Sequence, residues 1–270
     1  MKIEESSINH GKYKTIRCTK DKPVTDNIHI PVALKIAFLL CFDHPELVNL
    51  KISNIQIPQH IIAISNAIRA NTTLRKLDMR KNKRIVGDEA KLLAEAVIAS
   101  KKLEYFGFIP VKKLRENDVQ VEYHLSGMKI GQAEAIVLVA LLKINTTLTH
   151  LYLANNNICD GGAEAFTEFL KTNKTTTLTH LDMRQNKITD PAAAKLADAV
   201  LTNKNNEGSI IIEEFGEIPI RELLDPAQGG EINLDDRNIG PAEAIVLGKL
   251  LGEQQCTLTS LSMTNYDSEG

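Results

Sequence analysis

The stretch LTHLYLANNNICDGGAEAFTEFLKTNKTTT runs from Leu148 to Thr177, and LTHLDMRQNKITDPAAAKLADAVLTNKNN follows it directly from Leu178. Each copy opens with LTHL, passes through an asparagine and ends in a segment rich in alanine and leucine. Two such copies in succession indicate an internal repeat with a period of about 30 residues, which is typical of stacked repeat folds.

Each copy divides into a strand and a helix. LTHLYLANN alternates apolar and polar residues, as a strand with one buried face does. GAEAFTEFLKTN places Ala163, Phe166, Phe169 and Leu170 on one side of a helix. One such pair cannot bury both apolar surfaces alone, but stacked copies close each other's core. We therefore expect an α/β solenoid, a horseshoe with a parallel sheet on its concave side and helices on its convex side.

Two further features follow from the repeat. An asparagine lies three residues past the last apolar strand position at Asn82, Asn156 and Asn186, and we predict that its amide bonds backbone groups of its own turn and of the adjacent repeat. The helical pattern predicts helices over Ala133–Lys143, Ala163–Lys171, Pro191–Leu201 and Ala242–Leu251.

A longer repeat is superimposed on the short one. FGFIPVKKL begins at Phe106 and FGEIPIREL at Phe215, 109 residues later. IGQAEAIVL at Ile130 and IGPAEAIVL at Ile239 are also 109 residues apart. A block of about four units is therefore duplicated.

One unit in each block is short. If Phe108 and Glu217 mark the last strand positions, the next strand follows only 17 residues later. Pro110 and Pro219 disfavour a helix at the preceding residue. We therefore predict two helixless units, crossed by an extended or 3₁₀ segment. A docking role for the FGxIP motif is the alternative to a packing role.

The pattern resembles the leucine-rich repeat family, in its long, helical, ribonuclease-inhibitor-like subtype. The resemblance is carried by LRKLDMRKNKRIVGDEAKLLAEAV from Leu74, LTHLYLANNNICDGGAEAFTEFLKTN from Leu148 and LTHLDMRQNKITDPAAAKLADAVLTN from Leu178. It spans residues 47 to 265, with degenerate copies at both ends. It implies the architecture, whereas the functions of that family are diverse.

The resemblance also suggests a domain plan. Residues 1–27 form a polar N-terminal segment that adds a strand at YKTIRC or stays loose, and residues 28–270 form the repeat domain. Within it, residues 28–46 are a degenerate N-terminal cap with a helix near Val32 to Phe42. Residues 258–270 are a truncated last repeat whose strand edge needs a cover, from a partner, a second copy or a longer chain.

Composition restricts the classes of function. The net charge of −2 and the aromatic content of 4% argue against nucleic-acid binding. No apolar stretch is long enough for a transmembrane helix, and the N-terminus lacks the apolar core of a signal peptide. The cysteines lie far apart and suggest free thiols in a reducing, cytosolic compartment, namely Cys18, Cys41, Cys159 and Cys256.

No motif for catalysis is present. The chain lacks a phosphate-binding loop, a GxGxxG after a strand, HExxH and GxSxG. His150 and His180 occupy the same column on adjacent strands, with Asp182 in the next column. Because parallel strands lie about 4.8 Å apart, a His–His–Asp metal site is the alternative to ordinary strand-face residues. We favour no metal and no cofactor.

The charged and aromatic strand positions point to a binding surface. A rigid concave sheet needs little ordering to bind a protein, and Tyr and Arg are common binding anchors. We expect the partner to contact Lys76, Asp78, Arg80, His124, His150, Tyr152, His180, Asp182 and Arg184.

These observations favour a non-catalytic scaffold that binds a protein partner through its concave face. The amino-acid composition, rich in isoleucine, lysine and asparagine, suggests an effector of an intracellular bacterium that is delivered without a signal peptide. The alternatives are a regulator of a small GTPase, which needs a polar or negative patch on the N-terminal units, and the targeting half of a larger enzyme. We expect a monomer, with pairing through the C-terminal strand edge as a further interaction.

Overall fold

The computed structural model describes residues 2–6, 14–19, 47–52, 61–80, 82, 85–118, 121–173, 177–202, 212–224, 231–252 and 258–264. The chain forms two compact units. Unit 1 comprises Met1–Asp118 and Lys129–Leu142, and unit 2 comprises Val119–Met128 and Lys143–Gly270. The predicted domain bounds are not tested by this division and stay a prediction.

The strands are short, and from Leu47 onward a helix separates each described strand from the next. In chain order they are β1 (Lys2–Ser6), β2 (Lys14–Thr19), β3 (Leu47–Ile52), β4 (Lys76–Asp78), β5 (Tyr105–Phe106), β6 (Glu122–His124), β7 (His150–Tyr152), β8 (His180–Asp182), β9 (Glu214–Phe215), β10 (Glu231–Asn233) and β11 (Ser260–Ser262). The strand expected at YKTIRC is β2, and the one expected in the last repeat is β11.

The helices of the described residues are α1 (Ile61–Ala70), α2 (Gly87–Ala99), α3 (Val111–Arg115), α4 (Gln132–Leu142), α5 (Cys159–Thr172), α6 (Asp190–Thr202), α7 (Ile220–Leu224) and α8 (Pro241–Leu251). The four predicted helices are confirmed as α4, α5, α6 and α8. The helix expected near Val32 to Phe42 lies outside the described residues. Within the described part of the chain, no helix is long and apolar enough to cross a membrane.

Apart from the antiparallel β1–β2 pair, the strands pair in parallel, as the repeat predicted. In unit 1 the strand order is β1-β2-β3-β4-β5, with β1 antiparallel to β2 and the other neighbours parallel. In unit 2 the strands β6 to β9 form one parallel sheet, and β10 pairs with β11 in another. Neighbouring helices pack on each other within each unit, α1 on α2 and α5 on α6 among them. This alternation of parallel strands and helices is an α/β repeat solenoid.

The core lies between the strands and the helices. Leu151 and Leu153 are fully buried on one side of β7, and Phe166 and Phe169 are fully buried on the facing side of α5. Leu181 of the next strand is only 1% exposed. Burial of these apolar positions, repeated in successive units, supplies the main driving force for folding.

The predicted asparagine bonds are confirmed. The Asn156 side-chain amide donates to the carbonyls of Leu125 in the preceding repeat and Leu153 in its own turn, both at 2.8 Å. Asn82 and Asn186 make the equivalent pairs of bonds in their own repeats. Each amide thus joins two successive turns, and these residues are structural.

The duplication is visible in the order of elements. The series β4-α2-β5-α3-β6-α4 recurs as β8-α6-β9-α7-β10-α8. The two members of each strand pair have the same length, and so do α3 and α7. The copied sequence therefore folds in the same way both times.

The prediction of helixless units was wrong. Each short unit contains a five-residue α-helix, α3 after Pro110 and α7 after Pro219. A proline restricts the residue before it, yet it is tolerated at the start of a helix, where its missing N–H has no partner to lose. The Leu114 N–H donates to the Pro110 carbonyl at 3.0 Å, and Val111 and Leu114 bury the helix against the core.

The assignment of Phe108 and Glu217 to strand ends was also wrong. β5 stops at Phe106, and the chain turns through Gly107 at a φ of 60°. Phe106 and Ile109 exchange backbone hydrogen bonds of 3.0 and 2.9 Å, so Ile109 enters the core and Phe108 is 42% exposed. Residues 215–218 make the same turn in unit 2, which places Glu217 beyond β9.

Candidate binding face

The strand face of unit 2 is the set of side chains at alternate positions of β6 to β9. They are Glu122, His124, His150, Tyr152, His180, Asp182 and Glu214. In the sheet register these residues form two rows across the strands. The first row reads Glu122, His150, His180, Glu214, and the second reads His124, Tyr152, Asp182. The sequence prediction that His150 and His180 share a column is confirmed.

Aromatic rings stack along both rows. His150 and His180 lie with ring centroids 3.8 Å apart and an interplanar angle of 15°. His124 and Tyr152 lie 4.4 Å apart and are parallel within 3°. The side chain of His124 is 68% exposed, whereas that of His180 is 23% exposed. The face therefore carries ordered rings that remain partly open to solvent.

Hydrogen bonds to threonine determine the proton position on the two stacked histidines. The Thr149 hydroxyl donates to the Val121 carbonyl at 3.0 Å and contacts His150 Nδ1 at 2.7 Å. Because a hydroxyl has a single proton, we assign the proton of this contact to His150 Nδ1. Thr179 holds His180 Nδ1 in the same way, at 2.8 Å. In His150, Nε2 is then a hydrogen-bond acceptor, whereas Nε2 of His180 faces a Glu214 oxygen at 3.6 Å.

The carboxylates around these rings alter several pKa values. Burial, and then the proximity of His150, lowers the pKa of His180, which keeps it neutral at pH 7. Burial, and then the charge of Glu217, raises the pKa of Glu214. Burial, and then the charge of Glu122, raises the pKa of Tyr152, so its phenol stays protonated and can donate a hydrogen bond.

Asp182 and Arg184 lie at the edge of this face in a network of ion pairs. Asp182 is only 6% exposed. The Arg184 guanidinium donates to both its oxygens and also pairs with Glu217 at 2.9 Å. Arg237 pairs with the other oxygen of Glu217. Asp182 and Arg184, both predicted contact residues, are therefore less accessible to a partner than the alternating sequence pattern suggested.

The other three predicted contact residues lie in unit 1. Lys76 and Asp78 belong to β4, and Arg80 follows it. Lys76 is exposed, and its ammonium lies 4.9 Å from the centre of the Tyr105 ring. Arg80 donates to both oxygens of Asp78 and covers the Phe108 ring at 3.7 Å. Burial alone would raise the pKa of Asp78, but the hydrogen bonds and charge of Arg80 lower it overall.

The duplication allows these two faces to be compared position by position. Tyr105 of unit 1 corresponds to Glu214 of unit 2, and Phe108 corresponds to Glu217. In unit 1 the cations contact aromatic rings, whereas in unit 2 His180 lies 3.6 Å from Glu214 and Arg184 pairs with Glu217. At these two positions unit 2 thus has carboxylates where unit 1 has aromatic rings.

A cavity of about 260 Å³ adjoins the strand face of unit 2. Four of its nine lining residues are glutamates, and Arg237 is the basic group among them: Glu214, Glu217, Pro219, Glu222, Glu231, Ile232, Asn233, Leu234 and Arg237. Sequence reasoning missed these glutamates. The difference between FGFIP and FGEIP in the duplicated motif was the signal that could have identified Glu217.

Two buried glutamates also escaped the sequence analysis. Glu134 and Glu243 occupy the same place in the duplicated motifs and are 4% and 2% exposed. Burial raises the pKa of Glu134, and burial raises that of Glu243 to about 7. Each lies in the first turn of its helix, and a Glu134 oxygen accepts from the Gly131 N–H at 3.1 Å. Oε1 of Glu243 has no hydrogen-bond partner among the described residues.

The geometry of the histidine pair does not suit a shared metal ion. Stacked imidazoles direct their nitrogen lone pairs along parallel planes, so His150 and His180 do not converge on one point. Across the residues that the structure describes, no group of three or more His, Cys, Asp or Glu side chains is arranged to hold a metal. Cys159 is a free thiol. The absence of a cofactor and the state of the other cysteines stay predictions.

Comparison with known proteins agrees with the fold. The family model described as leucine-rich repeat matches residues 70–90, 145–166 and 174–197. A search of curated proteins finds no match. The three matched segments contain β4, β7 and β8, each with the beginning of its following helix. Leucine-rich repeat domains generally mediate protein–protein interaction. The matches and the alternating parallel strands and helices support leucine-rich repeats in these segments, within an α/β repeat solenoid.

Proposed function

We propose that this chain is a non-catalytic scaffold that binds a protein partner, with the strand face of unit 2 as its principal contact surface. The observation that carries the proposal is the ordered pair of partly exposed rings, His124 and Tyr152. Binding loses less side-chain entropy when the contacting groups are already held by stacking. A tyrosine with a protonated hydroxyl also combines apolar area with a hydrogen-bond donor, which makes it a suitable anchor.

The predicted contact residues divide by accessibility into two groups. Lys76, His124, His150, Tyr152 and His180 present side-chain surface that a partner can touch. The remaining residues hold the shape and charge of the two faces through ion pairs, namely Asp78, Arg80, Asp182 and Arg184. We add Glu122 and Glu214 to the first group, because they end the first row of the strand face of unit 2.

We further propose that the partner is a host protein and that the chain acts inside a host cell as a bacterial effector. The sequence composition supports this, through its isoleucine, lysine and asparagine content. Regulation of a small GTPase would require a polar or negative patch on the N-terminal units. The strand side of unit 1 instead presents Lys51, Lys76 and Arg80 around Asp78, so this alternative is not favoured.

Photo-crosslinking from single positions tests the proposal. Tyr152 is replaced by benzoylphenylalanine, the protein is irradiated in a eukaryotic cell lysate, and crosslinked products are identified by mass spectrometry. The matched control carries the same residue at Glu168, an exposed position on α5. We expect a defined product from position 152 that position 168 does not give. Equal products from both positions, or a product from 168 alone, would contradict the proposed face.

A further inference from the structure

The first row of the strand face of unit 2 presents hydrogen-bond acceptors. Its ends are the carboxylates of Glu122 and Glu214, and its middle is formed by the imidazoles of His150 and His180. With its Nδ1–H bound to the Thr149 hydroxyl, Nε2 of the His150 imidazole can only accept. A partner that pairs with this row must therefore supply donors.

The negative charge of the face also favours a partner that supplies donors. Four carboxylates, Glu122, Asp182, Glu214 and Glu217, belong to the face or its edge. The guanidinium groups nearby, on Arg184 and Arg237, are already engaged with Asp182 and Glu217. Since the pKa of His180 is lowered, this imidazole adds no compensating charge at pH 7.

Ring faces and a small cavity complete the surface. The His124 and Tyr152 rings offer π-faces, on which a guanidinium stacks favourably. The acidic cavity of about 260 Å³ begins at Glu214, where the first row ends. Pockets that enclose a drug-sized ligand measure about 300–1,000 Å³, so this cavity suits a single long side chain of a protein.

Unit 1 contains an internal example of the same chemistry. Arg80 lies between the Asp78 carboxylate and the Phe108 ring, and Lys76 lies over Tyr105. A cation held between a carboxylate and a ring is therefore an arrangement that this repeat already forms with its own residues.

We propose that the strand face of unit 2 binds an extended protein segment that carries basic residues, arginine in particular. The inference rests on the proposed function and names the chemistry of the partner. Glu122 and Glu214 are separated by three strand spacings, about 14 Å. Two basic residues four positions apart in an extended chain are separated by about 13 Å, so one segment crossing the strands reaches both carboxylates.

Acidification weakens this binding. The groups facing the two stacked histidines are the rings of each other and of Tyr152, the threonine hydroxyls, and the carboxylates of Glu122, Asp182, Glu213 and Glu214. When His180 gains a proton on acidification, the row gains a positive charge. Because the pKa of Glu214 is raised, its carboxylate takes up a proton more readily than an ordinary glutamate on acidification, which removes negative charge. The first change repels a basic segment, and the second weakens its attraction to the face.

Peptide titration with the full chain tests the inference. The probe is a fluorescein-labelled Gly-Ser peptide with two arginines four positions apart, and its counterpart carries glutamates at the same places. Fluorescence anisotropy is measured at low salt, at pH 7.5 and pH 5.5. At pH 7.5 we expect the arginine peptide to bind at least tenfold more tightly than the glutamate peptide. At pH 5.5 we expect its affinity to fall at least fivefold.

A pair of variants with equal charge change provides the control. Glu122→Gln with Glu214→Gln removes two charges from the face, and Glu164→Gln with Glu168→Gln removes two from α5. We expect at least a fivefold loss for the first variant and little change for the second. Equal binding of both peptides, equal loss in both variants, or an affinity unchanged between the two pH values overturns the inference.

The two proposals fail in distinguishable ways. A crosslink from position 152 to a protein, without binding of the arginine peptide, overturns the inference about basic segments and leaves the proposed function supported. Peptide binding that depends on Glu122 and Glu214, without any crosslink from position 152, supports the charge recognition but contradicts the proposed protein contact.

Discussion

Asp182 and Arg184 form a two-point ion pair on one strand end, with Nε to Oδ1 at 3.0 Å and Nη2 to Oδ2 at 2.8 Å. The backbone N–H of Arg184 also donates to Oδ1, at 3.1 Å. Asp78 and Arg80 repeat all three bonds in the first copy, at 2.9, 2.7 and 3.1 Å. The pair therefore closes the turn after the strand in both blocks, and its first role is structural.

We expect Arg184→Ala to lower the free energy of unfolding by about 2–4 kcal/mol, between the values for exposed and buried pairs. The physical reason is that Asp182, with its side chain 7% exposed, would keep a charge without a counterion. Arg221→Ala serves as the control, because its pair with Glu213 at 2.8 Å leaves Arg221 72% exposed and should contribute less than about 1 kcal/mol. Equal losses for both variants in urea melts would show that burial of the pair is unimportant.

A second prediction concerns the asparagine that joins successive repeats. Asn156→Ala removes the side-chain amide that donates to the Leu125 and Leu153 carbonyls and takes one hydrogen bond from each of them. We expect a loss of about 2–4 kcal/mol in denaturant melts. Asn66→Ala is the matched change on the exposed side of α1, and it should cost less than about 0.5 kcal/mol. The structural role of Asn156 is refuted if the two variants lose the same free energy of unfolding.

The repeat arrangement was predictable because its signals are local and recur. Alternation marks β7 and β8, and the apolar stripe of Phe166 and Phe169 marks α5. The strand register then places His150 beside His180 without further information. The short units were mispredicted because the rule for proline concerns the residue before it, whereas α3 and α7 begin after it.

The site was only partly predictable for a different reason. The contact of Arg184 with Glu217 depends on the turn through Gly216, which carries the chain out of β9 and back beside the preceding strand. Such a turn is decided by backbone geometry rather than by apolar periodicity. The burial of Glu243 likewise depends on how helix α8 packs, and a glutamate in a first helical turn ordinarily suggests a solvated cap.

The turn at Gly216 gives a third prediction. Its φ of 63° disfavours any residue with a Cβ, and a Cβ there would lie 2.8 Å from Cγ of buried Glu243. Gly127 has a φ of 70° but no atom within 4 Å of a Cβ, so it isolates the backbone cost of about 1–2 kcal/mol. We expect Gly216→Ala to lose about 1–3 kcal/mol more than Gly127→Ala, through overpacking. Equal losses in thermal or urea unfolding would contradict the packing of Glu243 against this turn.

The last prediction uses Glu243 itself, whose pKa is raised by burial from its ordinary 4.5 to about 7. The folded state then holds the proton more tightly than the unfolded state does. The resulting stabilisation is complete below about pH 4.5 and is lost as the pH rises through about 7. A shift of this size corresponds to a loss of up to about 3 kcal/mol between pH 5 and pH 8.

Glutamine resembles the protonated acid and does not titrate. We therefore expect Glu243→Gln to match the wild type at pH 5 and to exceed its free energy of unfolding by up to about 3 kcal/mol at pH 8. Urea melts at both pH values, with Glu168→Gln as the exposed control, isolate this group from the other carboxylates. A stability difference between Glu243→Gln and wild type that stays constant from pH 5 to pH 8 would mean that Glu243 is ionised in the folded protein throughout, with a partner for Oε1 outside the described residues.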